Sequence, residues 1–475
     1  MNKKNLPFWL ISLSVFIALI LPGLLRDGMF MDGLLYSVIS RNLAEGKGTF
    51  WNPHLTQTLF NTFHEHPPLA FGIESLFFKI FGDHMLVERL YSFLSAVITG
   101  YFIILIWKLI YKAEHRLANL SWLPFFFWVI IPLTSWSYRN NMLENTLGVF
   151  TLASVFVLLQ GLSKNEKVVF HLAIAGLLVF AGFLSKGLVA LFPLGVVVFY
   201  WLILKNISFS KTGIYTLILA LVPALSFLLL MLNQEAHQSL LQYFNAQIIP
   251  SLGGNRAVTE RYYLGQRLFM ELLPLIILTA IALIVYKLKK VGSARLKAHK
   301  NWMLLLFGIG LSASLPMAIS PKQSGFYLIP AFPYFAIGFA IIAAPGLNEL
   351  IQKINPEKSG FKIYRLLSLV LLISVITFSL LQIGKTGRDQ EKLKDVYTVG
   401  ETVPGGAVIN ICPSMWEDWT LHGYFARYFD ISLDPSDKEH EYYLTDKNCD
   451  FSLAEKYTKI ELSTEIFNLY KIKLK

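Results

Sequence analysis

Eleven apolar runs, each near the roughly 20 residues needed to cross a bilayer, decide most of what this chain can become. They lie at 7–25, 85–107, 120–137, 143–162, 168–184, 188–204, 213–232, 268–286, 302–319, 326–345 and 365–382. Only 15% of the 475 residues are charged, against about 25% in a soluble domain. The chain therefore reads as mainly α, a polytopic bundle of membrane helices surrounded by membrane lipids. Its formal charge of +11 would by itself fit a nucleic-acid binder. The distribution excludes that partner, because the basic residues sit in alternate short loops between apolar runs.

With Lys3 and Lys4 inside the cell, the inner loops hold Lys108, Lys112 and Arg116, then Lys164 and Lys167, then Lys205 and Lys211. The run KLKKVGSARLKAHK at 287–300 follows, and then Lys353, Lys358 and Lys362. The first apolar run has no small-residue cleavage site and is expected to stay as an anchor. The other face receives 26–84, 138–142, 233–267, 320–324 and everything after 383. In a bacterial inner membrane that face is periplasmic. Both cysteines, Cys412 and Cys449, fall in the last outer segment. The compartment is oxidising, so a disulfide fits, and two free thiols fit the sequence as well.

Composition shifts sharply where GRDQEKLKD opens a polar stretch, dividing a membrane domain at 1–382 from a small outer domain at 383–475. In the tail, GGAVINIC at 405–412 reads as a buried strand, HGYFARYF at 422–429 as a strand or short helix, and EIFNLYKIK at 465–473 as a further strand. A small α/β module is expected. In the first outer loop, Leu34, Leu35, Val38, Ile39 and Leu43 recur with helical spacing. Asp32 stands where an N-cap would, and Gly46 and Gly48 end the pattern. This predicts an interface helix with its apolar face on the membrane. A second is expected from Pro68 to Phe81, since prolines suit a helix start.

Ionisable residues gather in the outer loops and at the outer span ends, where a lipid head group meets a water-borne acceptor. A transporter, the rival reading as a flippase for lipid-linked sugars, would place charges at the midplane beside paired broken helices. The sequence shows neither. A membrane-anchored binding protein would leave the acid–base cluster of the outer loops unexplained.

From Asp32 through YSVISRNLAEG to HEHPPLAFGIESLFFKIFG and VERLYSFLSA, the chain resembles the first outer loop of polyprenyl-phosphate-sugar-dependent glycosyltransferases. These are GT-C enzymes that include the protein O-mannosyltransferases and the lipid A aminoarabinose transferases, glycosyltransferase families 39 and 83. YRNNMLENTLGVFTLAS at 138–154, GFLSKGLVALFPL at 182–194 and SPKQSGFYLIPAFPYFAI at 320–337 are similar too, in collinear order. The nearest thing to a dinucleotide loop, GIGLSA at 308–313, lies inside a span and has the wrong context.

The resemblance implies a polyprenyl-phosphate-linked sugar donor and a lipid, glycan or protein acceptor. Inverting transfer needs a base for the acceptor hydroxyl and positive charge for the departing phosphate. Asp32 matches the family's acid after the first span, the base, and a plain N-cap is compatible with that role. Glu65 matches the acid of a Glu-Lys-Pro-Pro motif that helps hold a divalent metal (zinc, magnesium or manganese) or positions the acceptor. His66 replaces the motif's lysine, and either donates to phosphate or binds metal with Glu65 and His64. Structural loop residue is the alternative for His64. Arg139, Lys186, Lys322 and Tyr327 match outer residues suited to the donor phosphate, the lysines serving otherwise as helix-end anchors. Arg256 and Arg261 suit the phosphate by their guanidinium geometry. Two further departures stand out: Glu144 replaces a commoner aspartate, and Gln247 occupies the neighbourhood of a metal-binding histidine.

Overall fold

The computed structural model describes residues 3–252, 262–291, 296–319, 323–447, 449 and 456–473. Among them nine helices are long and apolar enough to cross a membrane: Leu6–Leu25, Leu86–Ile110, Leu143–Lys164, Val168–Lys186, Phe209–Leu230, Tyr263–Lys289, His299–Ala318, Gly325–Gln352 and Ser359–Leu380. Two of the eleven apolar runs take other forms. The run at 120–137 is a pair, His115–Val129 and Pro132–Arg139, bent by 76°. Pro132 opens the second piece, where its missing N–H is no loss and its ring ends the preceding turn. The run at 188–204 is shorter, a 3-10 stretch Leu188–Gly195 continued by the helix Val196–Leu204.

The chain divides into two compact units. The first comprises Met1–Gly23, Glu65–Ala70 and Ser92–Gln382. Its innermost span is Gly325–Gln352, most of whose residues are buried, whereas few residues of Phe209–Leu230 and Ser359–Leu380 are. Leucine-rich surfaces left open in this way are what lipid tails replace water against.

The second unit comprises Leu24–His64, Phe71–Tyr91 and Ile383–Lys475, so the compact body is larger than the 383–475 segment. Among the described residues its five strands are β1 (Val408–Ile411), β2 (Ser432–Asp434), β3 (Tyr442–Asp446), β4 (Tyr457–Ile460) and β5 (Phe467–Ile472). Their order is β2-β1-β3-β5-β4. β1 runs parallel to β2 and β3, pairing Asn410 with Tyr443, while β5 runs antiparallel to β3 and β4. The ambiguous 422–429 stretch is part of a helix, Trp419–Phe429, with Asp418 accepting from the Leu421 N–H. Leu421, Tyr424 and Phe425 are buried at helical spacing and share one core with Leu393, Val396, Ile409, Leu433, Leu444 and Leu469. Cys412 and Cys449 are bonded, their Cα atoms 6.2 Å apart.

The same core takes in Met29 and Leu34. This corrects the expectation for Met31–Ala44, whose residues 33–42 are all buried. Its apolar spacing serves a protein core instead of a lipid surface. Leu69–Phe81 differs, leaving Leu76, Ile80 and Phe81 53%, 72% and 56% exposed.

Candidate active site

Asp32 lies in the first turn of Met31–Ala44, half-buried. It is not the cap: that position belongs to Phe30, whose side chain makes no capping bond. An anion in the first turn still gains from the unsatisfied N–H groups there. The rest of the helix is tied down by polar contacts within the second unit. Ser40 donates to Glu74 Oε2 at 2.9 Å, and Asn42 Nδ2 to the carbonyls of His54 and Leu55 at 3.1 and 2.9 Å. Arg41 donates to the Arg427 carbonyl at 3.1 Å and pairs with Asp430 at 3.2 Å. Arg427 in turn pairs with Asp83 at 2.6 Å and with fully buried Glu88 at 2.9 Å. Both arginines are about as buried as core leucines, so their charges are held by specific partners.

His64 is buried, and burial lowers its pKa. Glu65 and His66 are half-buried in an irregular segment, followed by buried Pro67 and Pro68 and then the helix Leu69–Phe81. A proline biases the residue before it away from helix, which keeps His66 out of the helix that follows. His64 and Asp32 belong to the second unit; Glu65, His66, Arg139, Lys186 and Tyr327 belong to the first. Among the described residues, no group of three or more His, Cys, Asp or Glu is placed to hold a metal ion.

The first unit brings Lys186 and Tyr327 together. Lys186, at the end of Val168–Lys186, lies with its Nζ 5.6 Å from the ring centres of both Phe326 and Tyr327. Its carboxylate partner is Glu144 at 2.6 Å, and both side chains are buried. Glu144, the departure from the family pattern, thus has a definite charge partner. Gly187, with φ of +96°, ends that helix, and a side chain there would overlap the Tyr243 hydroxyl. Burial pushes the Tyr243 hydroxyl up to about 12.

Two side chains that sequence reasoning did not single out stand in the same region. Trp136 stacks on Phe326 at 6.1 Å. Buried Glu271 pairs with Arg267 at 2.7 Å and accepts the Leu133 N–H at 2.7 Å, in the first turn of Pro132–Arg139. The signal for Glu271 was available: an acid inside an apolar run, with an arginine four residues before it. Arg139 closes that helix, its Nε donating to the Ser135 carbonyl at 3.2 Å. Gln247 is buried in a π-helical turn, Phe244–Ile248. Arg256, Arg261 and Lys322 lie outside the described residues.

Residues 65–230 match the family model described as dolichyl-phosphate-mannose-protein mannosyltransferase. A stretch of 219 residues, 45% of the chain, is 26% identical to the undecaprenyl phosphate-alpha-4-amino-4-deoxy-L-arabinose arabinosyl transferase of Wigglesworthia glossinidia brevipalpis, and spans 37% of that relative's length. The fold is similar to that of ArnT from Cupriavidus metallidurans bound to undecaprenyl phosphate, with a TM-score of 0.63 at 13% identity over 98% of this chain and 97% of that one. The oligosaccharyltransferase of Archaeoglobus fulgidus in its apo form is similar too, with a TM-score of 0.55 at 12% identity over 92% and 70% of the two chains. The GT-C glycosyltransferase resemblance read from the first loop is the one these comparisons find.

Proposed function

We propose that this multi-pass membrane protein of the GT-C glycosyltransferase fold moves one sugar from undecaprenyl phosphate to an acceptor on the periplasmic face of a bacterial inner membrane. The observation that carries the reading is the family match, which begins at Glu65 within the HEHPP segment. The acceptor is a hydroxyl of lipid A, of another glycan or of a protein. Asp32 takes the proton of that hydroxyl as its oxygen attacks the anomeric carbon. The bond from that carbon to the phosphate oxygen breaks, and polyprenyl phosphate leaves with inversion. Glu65 orients the acceptor, while His66, Arg139, Lys186 and Tyr327 serve the phosphate, with Arg256, Arg261 and Lys322. Because Glu144 balances the charge of Lys186, that lysine contributes a directed donor more than net positive charge.

The test is a deletion strain and its complementation. Mass spectrometry is expected to show one sugar missing from a surface glycan or glycoprotein, with the undecaprenyl-phosphate sugar accumulating. Wild-type protein restores the sugar; Asp32→Asn, which cannot accept the proton, does not, although it is made and inserted normally. His66→Lys, the commoner family residue, restores it. His66→Ala is expected to lower kcat more than substrate affinity, the mark of a contact that strengthens in the transition state. A deletion strain with unchanged glycans and no accumulated donor counts against the whole reading, and full complementation by Asp32→Asn removes Asp32 as base.

A further inference from the structure

Asp27 lies five residues before Asp32 and is gripped by the tail of its own unit. Tyr397 donates to Asp27 Oδ2 at 2.7 Å and Tyr428 to Asp27 Oδ1 at 2.5 Å. The two rings stack at 5.5 Å, and Tyr424 continues the stack on Tyr428 at 5.9 Å while donating to Asp389 at 2.9 Å. The backbone is held as well. The Asp27 N–H donates to the Lys385 carbonyl at 2.8 Å, and the Gly387 N–H to the Asp27 carbonyl at 2.7 Å. Gly28 follows with φ of +89°, where a Cβ would come within 2.8 Å of Arg388 Cγ and 2.9 Å of its carbonyl oxygen. Met29, fully buried, sits in the tail's core together with Leu34.

No residue between Asp27 and Leu34 is therefore far from a fixed point. Asp32 lies inside that span, and the Tyr397 and Tyr428 hydroxyls stay protonated, raised above the ordinary tyrosine range first by burial and then by Asp27. We infer that Asp27, Tyr397 and Tyr428 form a clamp through which the tail sets the position of the helix turn carrying Asp32, making them positioning residues for transfer. The inference rests on the reading of Asp32 as base. A sheet domain added only to recognise an acceptor has no need to order the residues just before a catalytic acid. A misplacement of about 1 Å at a reacting group costs on the order of a hundredfold in rate, which gives such a clamp its purpose.

The test uses the full-length protein in nanodiscs. Tyr397→Phe/Tyr428→Phe removes both hydroxyl donors and keeps the stacked rings. Two measurements are made: hydrogen exchange across 27–36, and transfer kinetics with donor lipid extracted from the deletion strain. The clamp predicts that exchange over 27–36 speeds up while the sheet strands stay protected, and that kcat falls roughly tenfold to a hundredfold with KM unchanged. Asp27→Asn, whose amide oxygen still accepts a hydroxyl, is expected to retain more kcat than Asp27→Ala. Unchanged exchange and kcat in the double variant overturn the clamp. So does a loss of protection over the whole second unit with kcat and KM moving together, which is the pattern of general destabilisation. Asp32→Asn assayed beside them keeps the two ideas apart. If it is active, the base assignment fails, and the exchange data alone still decide whether Asp27 holds the turn.

Discussion

Burial holds both His64 and His422 below the usual histidine value of 6.5. For His422, desolvation outweighs the raising effect of its bond to the Trp416 carbonyl, 3.1 Å from Nε2. A neutral ring there uses its one N–H on that carbonyl. A histidine with a lowered folded pKa binds its proton more readily in the unfolded chain. Its contribution is therefore whole above pH 6.5 and is lost as pH falls from there toward the folded value. Both residues belong to the second unit, so that unit is expected to soften in mild acid. Thermal unfolding in detergent between pH 8 and pH 5.5 should show a melting temperature that drops below pH 6.5. His64→Gln/His422→Gln should flatten the drop, since glutamine carries no titrating proton and at 422 can still donate to the Trp416 carbonyl. Parallel curves for the variant and the wild type would place the acid sensitivity elsewhere.

At the scale of elements, the apolar runs were legible because length and hydropathy are local properties: all eleven became helix of some form at the expected positions. What the runs could not show was what covers them. The spacing of Leu34, Leu35, Val38 and Ile39 is that of any helix with one apolar side; Leu34 enters the sheet core and the other three are buried, so protein satisfies it as well as a membrane does. Asp32 similarly lost its capping role because Phe30 and Met31 already open the helix, a shift of two residues that periodicity cannot resolve. Buried charge pairs were invisible for another reason: Arg427 and Glu88 are 339 residues apart in sequence. That pair allows a direct check. Glu88 is fully buried and Arg427 nearly so, and removing one member of a buried pair costs about 3–5 kcal/mol, whereas replacing both with apolar residues is often neutral. Arg427→Met is therefore expected to destabilise the second unit by roughly that amount. Arg427→Met/Glu88→Leu should recover most of the loss in denaturant unfolding followed by tyrosine and tryptophan fluorescence. No recovery in the double variant would mean that Asp83, the second carboxylate on Arg427, carries the interaction.

For the molecule as a whole, the side on which every later loop lies depends, beside the bent pair at 115–139, on the short apolar stretch at 188–204. Its helix-forming length is only 17 residues, below the roughly 20 that an α-helix needs. Yet eight of those residues, Leu188–Gly195, are 3-10, with a rise of about 2.0 Å each, and the nine of Val196–Leu204 rise about 1.5 Å each. Together they reach about 30 Å, the thickness of the hydrocarbon core. Laid end to end, the two pieces would thus have the reach to span. Charge makes the same demand: if 188–204 did not cross, KLKKVGSARLKAHK at 287–300 would change sides and break the alternation of basic loops. Exposed Glu166 and Glu235 flank the question, with Val168–Lys186, the 188–204 stretch and Phe209–Leu230 between them. Three crossings put them on opposite faces, and two put them on the same face. Single cysteines, Glu166→Cys and Glu235→Cys, can be introduced without touching Cys412 and Cys449, because those two are bonded to each other and do not react with maleimides. An impermeant maleimide applied to intact cells should label position 235 and not position 166, the latter reacting only once the membrane is opened. Labelling of both from the same side would show that 188–204 turns back within the membrane, and the proposal of a periplasmic donor site would fall with it.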